Sequence, residues 1–134
     1  MLKRTIALTT AGTMLAGTAA ALVAAPAHAD GPEKNAYGSV GSARYEISVE
    51  KERRFEINAD LDGVPAGSSW KVVVRHDGKR VGSQTADAVR DDGRYEVDFH
   101  DFHSADTAGK DTFKVTIKRT DGAGKVTRTL TFRS

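Results

Sequence analysis

From Ala43 onward, apolar and polar side chains alternate with a period of two. That spacing puts successive side chains on opposite faces of an extended chain, the mark of a half-buried strand. Seven such segments are legible. The first sets Tyr45, Ile47 and Val49 against Glu46, Ser48 and Glu50. The second sets Phe55, Ile57 and Leu61 against Glu56, Asn58 and Asp60. The third carries Trp70, Val72 and Val74, and the fourth only Val81. The fifth carries Tyr95, Val97 and Phe99, the sixth Phe113, Val115 and Ile117. The seventh sets Val126, Leu130 and Phe132 against Thr127, Thr129 and Thr131. No segment has helical periodicity, although residues 101–110 leave room for one turn of helix.

Turn signals fix expected registers. Asp77-Gly78 predicts a two-residue type I′ hairpin with Val74 facing Val81 and Arg75 facing Arg80. A turn at Lys51-Glu52-Arg53 sets Val49 against Phe55 and Ile47 against Ile57. A turn over residues 121–124 sets Val115 against Leu130 and Phe113 against Phe132. In each case apolar meets apolar, and a one-residue slip would expose the whole set. Arg128 shares the parity of Val126 and Leu130. It is expected near the rim, with its stem over apolar surface and its head in water.

The fold class implied is all-β, a two-layer antiparallel β-sandwich of about seven strands. Two hairpins, a single strand and a final hairpin, with Trp70 opening the third strand and the Asp121-Gly122 turn in the last hairpin, resemble the immunoglobulin-like and fibronectin type III-like modules of bacterial secreted proteins. The chain departs from that pattern in lacking a cysteine pair and the tyrosine usual near the start of the sixth strand. The resemblance implies architecture and leaves the role open.

The first residues change the compartment. Lys3 and Arg4 precede an apolar stretch that ends in Ala27-His28-Ala29, the order of a cleavable secretory signal peptide. The domain reading is therefore a signal peptide at 1–29, a flexible linker at 30–42 with Pro32 and three glycines, and a sandwich at 43–134. Localisation is expected to be secreted and extracellular, with no membrane span after cleavage. The chain has no cysteine, so no disulfide supports the fold. Removing residues 1–29 takes away two bases and no acid, which leaves equal numbers of each. A neutral chain gives no support for nucleic-acid binding.

Charge is uneven along the chain. Residues 86–109 hold seven acids and two bases; residues 110–134 hold seven bases and two acids. The expectation is that the two segments neutralise each other in the fold; the alternative is two opposed charged faces. Arg75 opposite Arg80 poses the same choice on a small scale. Either a neighbouring acid relieves the pair, which is the expected arrangement, or these two are partner-binding residues for an anionic surface.

Candidate chemistry is sparse. His76, His100 and His103 could converge at one end of a fibronectin-type sandwich as ligands for Zn²⁺ or Cu²⁺. Ser104 beside His103 and Asp101 does not make a triad, because neighbours in sequence rarely meet its geometry. Asp91-Asp92 and Asp60-x-Asp62-Gly63 read as turn formers. The expectation is a secreted, non-catalytic binding or structural module without a resident cofactor. Its expected partner is a cell-envelope component or an extracellular protein. The alternative is an extracellular metal-binding protein using the loop histidines.

Overall fold

The computed structural model describes residues 32–133. The expected signal peptide at 1–29 lies outside them. The described residues form ten strands: β1 (Glu33–Val40), β2 (Ala43–Lys51), β3 (Arg54–Asp62), β4 (Ser69–His76), β5 (Lys79–Asp87), β6 (Val89–Asp91), β7 (Arg94–Asp98), β8 (Phe102–Ala105), β9 (Asp111–Arg119) and β10 (Lys125–Phe132). A six-stranded sheet runs β1-β2-β3-β7-β6. In it β7 and β8 share one edge of β3, β7 along Asp60–Asp62 and β8 along Arg54–Ile57. A four-stranded sheet runs β10-β9-β4-β5. All pairings are antiparallel.

The two sheets form the expected sandwich. Trp70, Phe55, Phe113, Ile47, Ile57, Leu61 and Ile117 are fully buried between them. Each such side chain contributes about 1.5–3 kcal/mol by leaving water, and with no cysteine in the chain this packing holds the layers without a covalent tie. The Trp70 indole donates from Nε1 to Ser68 Oγ at 2.9 Å, so its one polar atom is satisfied inside.

Three strands were not legible in the alternation. The expected linker at 30–42 is instead largely β1, paired with β2 along its whole length. Its inward-parity positions are Lys34, Ala36, Gly38 and Val40, so a lysine and a glycine interrupt the apolar pattern. The glycine is required there: a Cβ on Gly38 would lie 2.5–2.8 Å from the Tyr45 ring that covers it. Short β6 has one apolar residue, Val89, and it is exposed. The segment that left room for a helical turn contains β8, whose Phe102 is buried.

β5 has the same device as β1. Gly82 stands inward opposite Val74, and Phe102 of the other sheet fills the place of its side chain. Val81 does not face Val74 as expected; a bulge between Val74 and Arg75 displaces it by one place. The Arg75–Arg80 and His76–Lys79 pairs form as the Asp77-Gly78 turn requires, with Asp77 at φ 50° and Gly78 at φ 85°.

The other two expected registers are each off by two residues. Val49 faces Ile57 and Ile47 faces Ala59. Phe113 faces Leu130, and Val115 faces Arg128. A slip of two preserves which face each side chain occupies, so the expected core is intact. Arg128 lies on the rim as expected. Its guanidinium donates to the Tyr45 hydroxyl and to the Tyr37 carbonyl, joining β10 to β2 and β1.

Gly82→Val should therefore be costly. Its Cβ would sit 2.9 Å from Phe102, and forcing extra methyls into a packed seam costs about 1–3 kcal/mol. Urea unfolding measures this. A variant as stable as the parent would show that Phe102 does not seal the seam.

Candidate functional site

The end of the sandwich near the Asp77-Gly78 turn holds a buried polar cluster. His76, the last residue of β4, is 6% exposed, and Asp111, the first of β9, is 1% exposed. The Asp111 carboxylate can only accept, so His76 Nε2 carries a proton and donates to Asp111 Oδ1 at 2.7 Å. Ser104 Oγ lies 2.7 Å from Nδ1 on the other side of the ring. The imidazole stacks on Phe113 with centroids 4.2 Å apart. Thr107 donates its hydroxyl to Asp111 Oδ1, and Asp77 Oδ1 accepts the Thr112 amide at 2.8 Å. Burial pushes the Asp111 carboxyl up, but the hydrogen bonds from Thr107 and His76 and the His76 charge outweigh it, so the net shift is down.

Ser104 thus meets a histidine and an aspartate, but they are His76 and Asp111, not the sequence neighbours His103 and Asp101. Both ring nitrogens and the carboxylate are enclosed by partners from three separate segments. The cluster ties β4, β8 and β9 together at a point where unpaired polar groups would be costly.

The three histidines do not converge. Alternation along β8 turns Ser104 inward and His103 outward, where its Nε2 lies 3.3 Å from Glu56 Oε2. His100 is exposed and tilts against the Phe102 ring. Among the described residues the group with metal-ligand spacing is His76, Asp77 and Asp111, with donor atoms within 4.8 Å of one another. His76 Nε2 and Asp111 Oδ1 are bonded to each other, and the Thr107 hydroxyl lies against both Asp111 Oδ1 and, at 3.3 Å, Asp77 Oδ2. Of the three expected ligands only His76 belongs to it.

The outer faces of the two sheets are the more distinctive feature. In the four-stranded sheet, register aligns Lys125, Lys118 and Lys71 across β10, β9 and β4. A second row aligns Lys114, Arg75 and Arg80 across β9, β4 and β5. Between them lies an uncharged row of Thr127, Thr116, Val73 and Ser83. Among the described residues these six cations make no ion pair. The expected acid beside Arg75 and Arg80 is absent; their neighbour across β9 is another cation, Lys114. The pair is the corner of a larger basic face.

The six-stranded sheet is the converse. One row aligns Glu33, Glu50 and Glu56, and ends on His103. Another aligns Tyr37, Glu46, Asp60 and Asp98. Asn35, Ser48 and Asn58 lie between. Asp60 and Asp62, expected in a turn, are outward residues of β3. Crowding of acids shows in Glu96, which follows Asp62 in the next row. Burial, a hydrogen bond to Asp98 and the charges of Asp98, Asp91 and Asp62 push its carboxyl up to about 7.

The acidic segment 86–109 and the basic segment 110–134 therefore do not neutralise each other. No ion pair among the described residues joins them. Segment 86–109 ends β5 with Ala86 and Asp87 and then supplies β6, β7 and β8 to the six-stranded sheet, whereas the basic segment supplies β9 and β10 to the four-stranded one. Lys71, Lys114, Lys118 and Lys125 were not singled out from the sequence. The signal was available in their outward parity, but it needed the strand order to become a face.

No protein-family model matches the chain, and no curated protein or solved structure matches it. No helix among the described residues is long and apolar enough to cross a membrane.

Two shifted carboxyls, Asp111 and Glu96, bracket the pH of greatest stability. Asp111 is depressed in the fold, so its contribution is present above its unfolded pKa near 4 and is lost as pH falls through the lower folded value. Glu96 is raised, so its contribution is complete below the unfolded value and is lost as pH climbs through about 7. Urea midpoints between pH 3 and pH 9 should fall on both sides, and Glu96→Gln should flatten the alkaline limb. Asp111→Asn should cost about 2–4 kcal/mol by weakening the partners of His76 and Thr107. An unchanged alkaline limb in Glu96→Gln would refute the assignment of that limb.

Proposed function

We propose that this chain is an extracellular, non-catalytic binding module of immunoglobulin-like or fibronectin type III-like build. In this reading the outer face of its four-stranded sheet engages an anionic macromolecular surface. The observation that carries the reading is the basic face. Lys71, Arg75, Arg80, Lys114, Lys118 and Lys125 stand in two cross-strand rows with no ion pair among the described residues. Like charges directly opposite across strands are destabilising. A fold that keeps two such rows side by side gains from any partner that neutralises them. The rows lie roughly 13 Å apart, four residues along a strand, and suit a broad surface better than a small ion.

Other features support the parts of this reading. The β2–β3 hairpin in one sheet, β4–β5 in the other, β7 returning to the first and β9–β10 closing the second follow the connection order of the fibronectin type III-like modules. The Lys3-Arg4, apolar and Ala27-His28-Ala29 order supports export. The closed hydrogen bonding of His76 supports a structural role for the one histidine–carboxylate cluster inside the fold. The neutral charge of residues 30–134 does not weigh against a charged partner, because the fold sorts the two signs onto opposite faces.

Binding to immobilised poly-L-glutamate, a sulfated polysaccharide and a DNA duplex tests the reading and separates the chemistries of the partner. The protein should bind at least one in a salt-dependent way. A Lys71→Glu/Arg75→Glu/Lys118→Glu variant should lose tenfold or more in affinity while remaining folded. Full binding by that variant would remove the basic face from the account.

A further inference from the structure

We infer that the two outer faces of this domain are complementary to each other, and that a second copy of the chain docks its acidic face on the basic face of the first. The inference rests on the reading of the basic face as an anion-binding surface, and it names the partner.

The two faces match in pattern. The basic face has three cations in a row (Lys125, Lys118, Lys71), an uncharged row, and three cations again (Lys114, Arg75, Arg80). The acidic face has three carboxylates in a row (Glu33, Glu50, Glu56), an uncharged row, and three carboxylates again (Glu46, Asp60, Asp98). On both faces the charged rows are four residues apart along the strands, at Glu46 and Glu50 on β2 and at Lys114 and Lys118 on β9. Strand geometry therefore gives the same spacing to both, roughly 13 Å between rows and about 4.8 Å between neighbours within a row. The basic rows set cation beside cation, the acidic rows set carboxylate beside carboxylate up to His103 at the end of the first, and the two faces are opposite in sign.

Apolar and aromatic groups complete the match. Tyr37 and Val89 are the exposed large hydrophobic residues among those described, and both lie on the acidic face, one toward each edge. Tyr37 offers a ring to a lysine or arginine of the opposite face. Val73 lies in the uncharged row of the basic face, half-buried, where the uncharged row of a second copy would cover it.

The contact uses different surfaces on the two partners, so it is heterologous. The docked pair still presents one unused face of each sign, one at either end, and a geometry that does not close on itself builds open stacks. A closing geometry gives rings.

Sedimentation velocity of the purified protein decides the matter. At low ionic strength the average mass should rise with protein concentration, and it should return to monomer in roughly 0.5 M salt, where charges are screened within a few ångströms. Two reversed variants supply the control. Lys71→Glu/Arg75→Glu/Lys118→Glu cancels the basic face, with three cations left against three acids, and keeps only the acidic one; Glu46→Lys/Glu50→Lys/Glu56→Lys cancels the acidic face and keeps only the basic one. Each alone should be monomeric, and an equal mixture should associate. Reversing Lys118 or Glu50 alone places an opposite charge between two like ones, so single variants keep the test open if a triple variant is poorly folded. A parent protein that stays monomeric at low salt, or reversed variants that associate alone as the parent does, overturns the inference. If the monomeric parent nevertheless binds poly-L-glutamate, the basic face stands and only the choice of partner is wrong. If it binds no polyanion either, both readings fall.

Discussion

A β-strand can give only alternate side chains to the space between two sheets, and in this domain that space must hold the fold by itself. There is no cysteine to cross-link the layers. The inward positions of the long strands are accordingly mostly apolar, with glycines under aromatic rings on β1 and β5 and polar residues such as His76, Asp111 and Arg128 toward the ends and rim. Phe55, Trp70 and Phe113 supply the bulk, and Gly38 and Gly82 make room for Tyr45 and Phe102. The outward half is released from packing duties by the same geometry. It can carry any residue that water tolerates, including rows of like charge that a less securely packed sheet would not withstand.

Two polar devices close the sandwich where apolar packing runs out. Along one side, Arg128 of β10 reaches across to the Tyr45 hydroxyl and the Tyr37 carbonyl and binds the edge strand β1 to the opposite sheet. At one end, His76 is held between Ser104 and Asp111, with Thr107 completing the carboxylate. Both arrangements satisfy buried or half-buried donors that would otherwise weaken the interior. They also explain why residues that read as candidate chemistry in the sequence act as joints in the fold.

The core was legible from the alternation because parity alone decides which side chains face inward. Trp70, Val115 and Leu130 lie on the inner side whether or not the hairpins are placed correctly, and two of the three hairpins slip by two residues without moving any of them across. What failed was whatever depended on one particular neighbour. The gathering of His76, His100 and His103 required three loop positions to point the same way, and the alternation of β8 separated His103 from Ser104. The strand β1 was hidden because two of its four inward-parity positions are not apolar: Lys34, and Gly38 under a ring from the next strand. Arg75 and Arg80 were recognised as facing each other, but the acid expected beside them would have had to come from β9, and there the register brings Lys114. A face is a property of strand order, which hydrophobic periodicity does not encode.

The separation of sign between the two outer faces gives the domain a large electric dipole moment directed from one sheet to the other, even though residues 30–134 carry no net charge. Such a body feels no pull in a uniform potential but experiences a torque near any charged boundary. It would turn to present one chosen sheet before contact, so the orientation of encounter is set at a distance, by the fold rather than by the first side chain to touch.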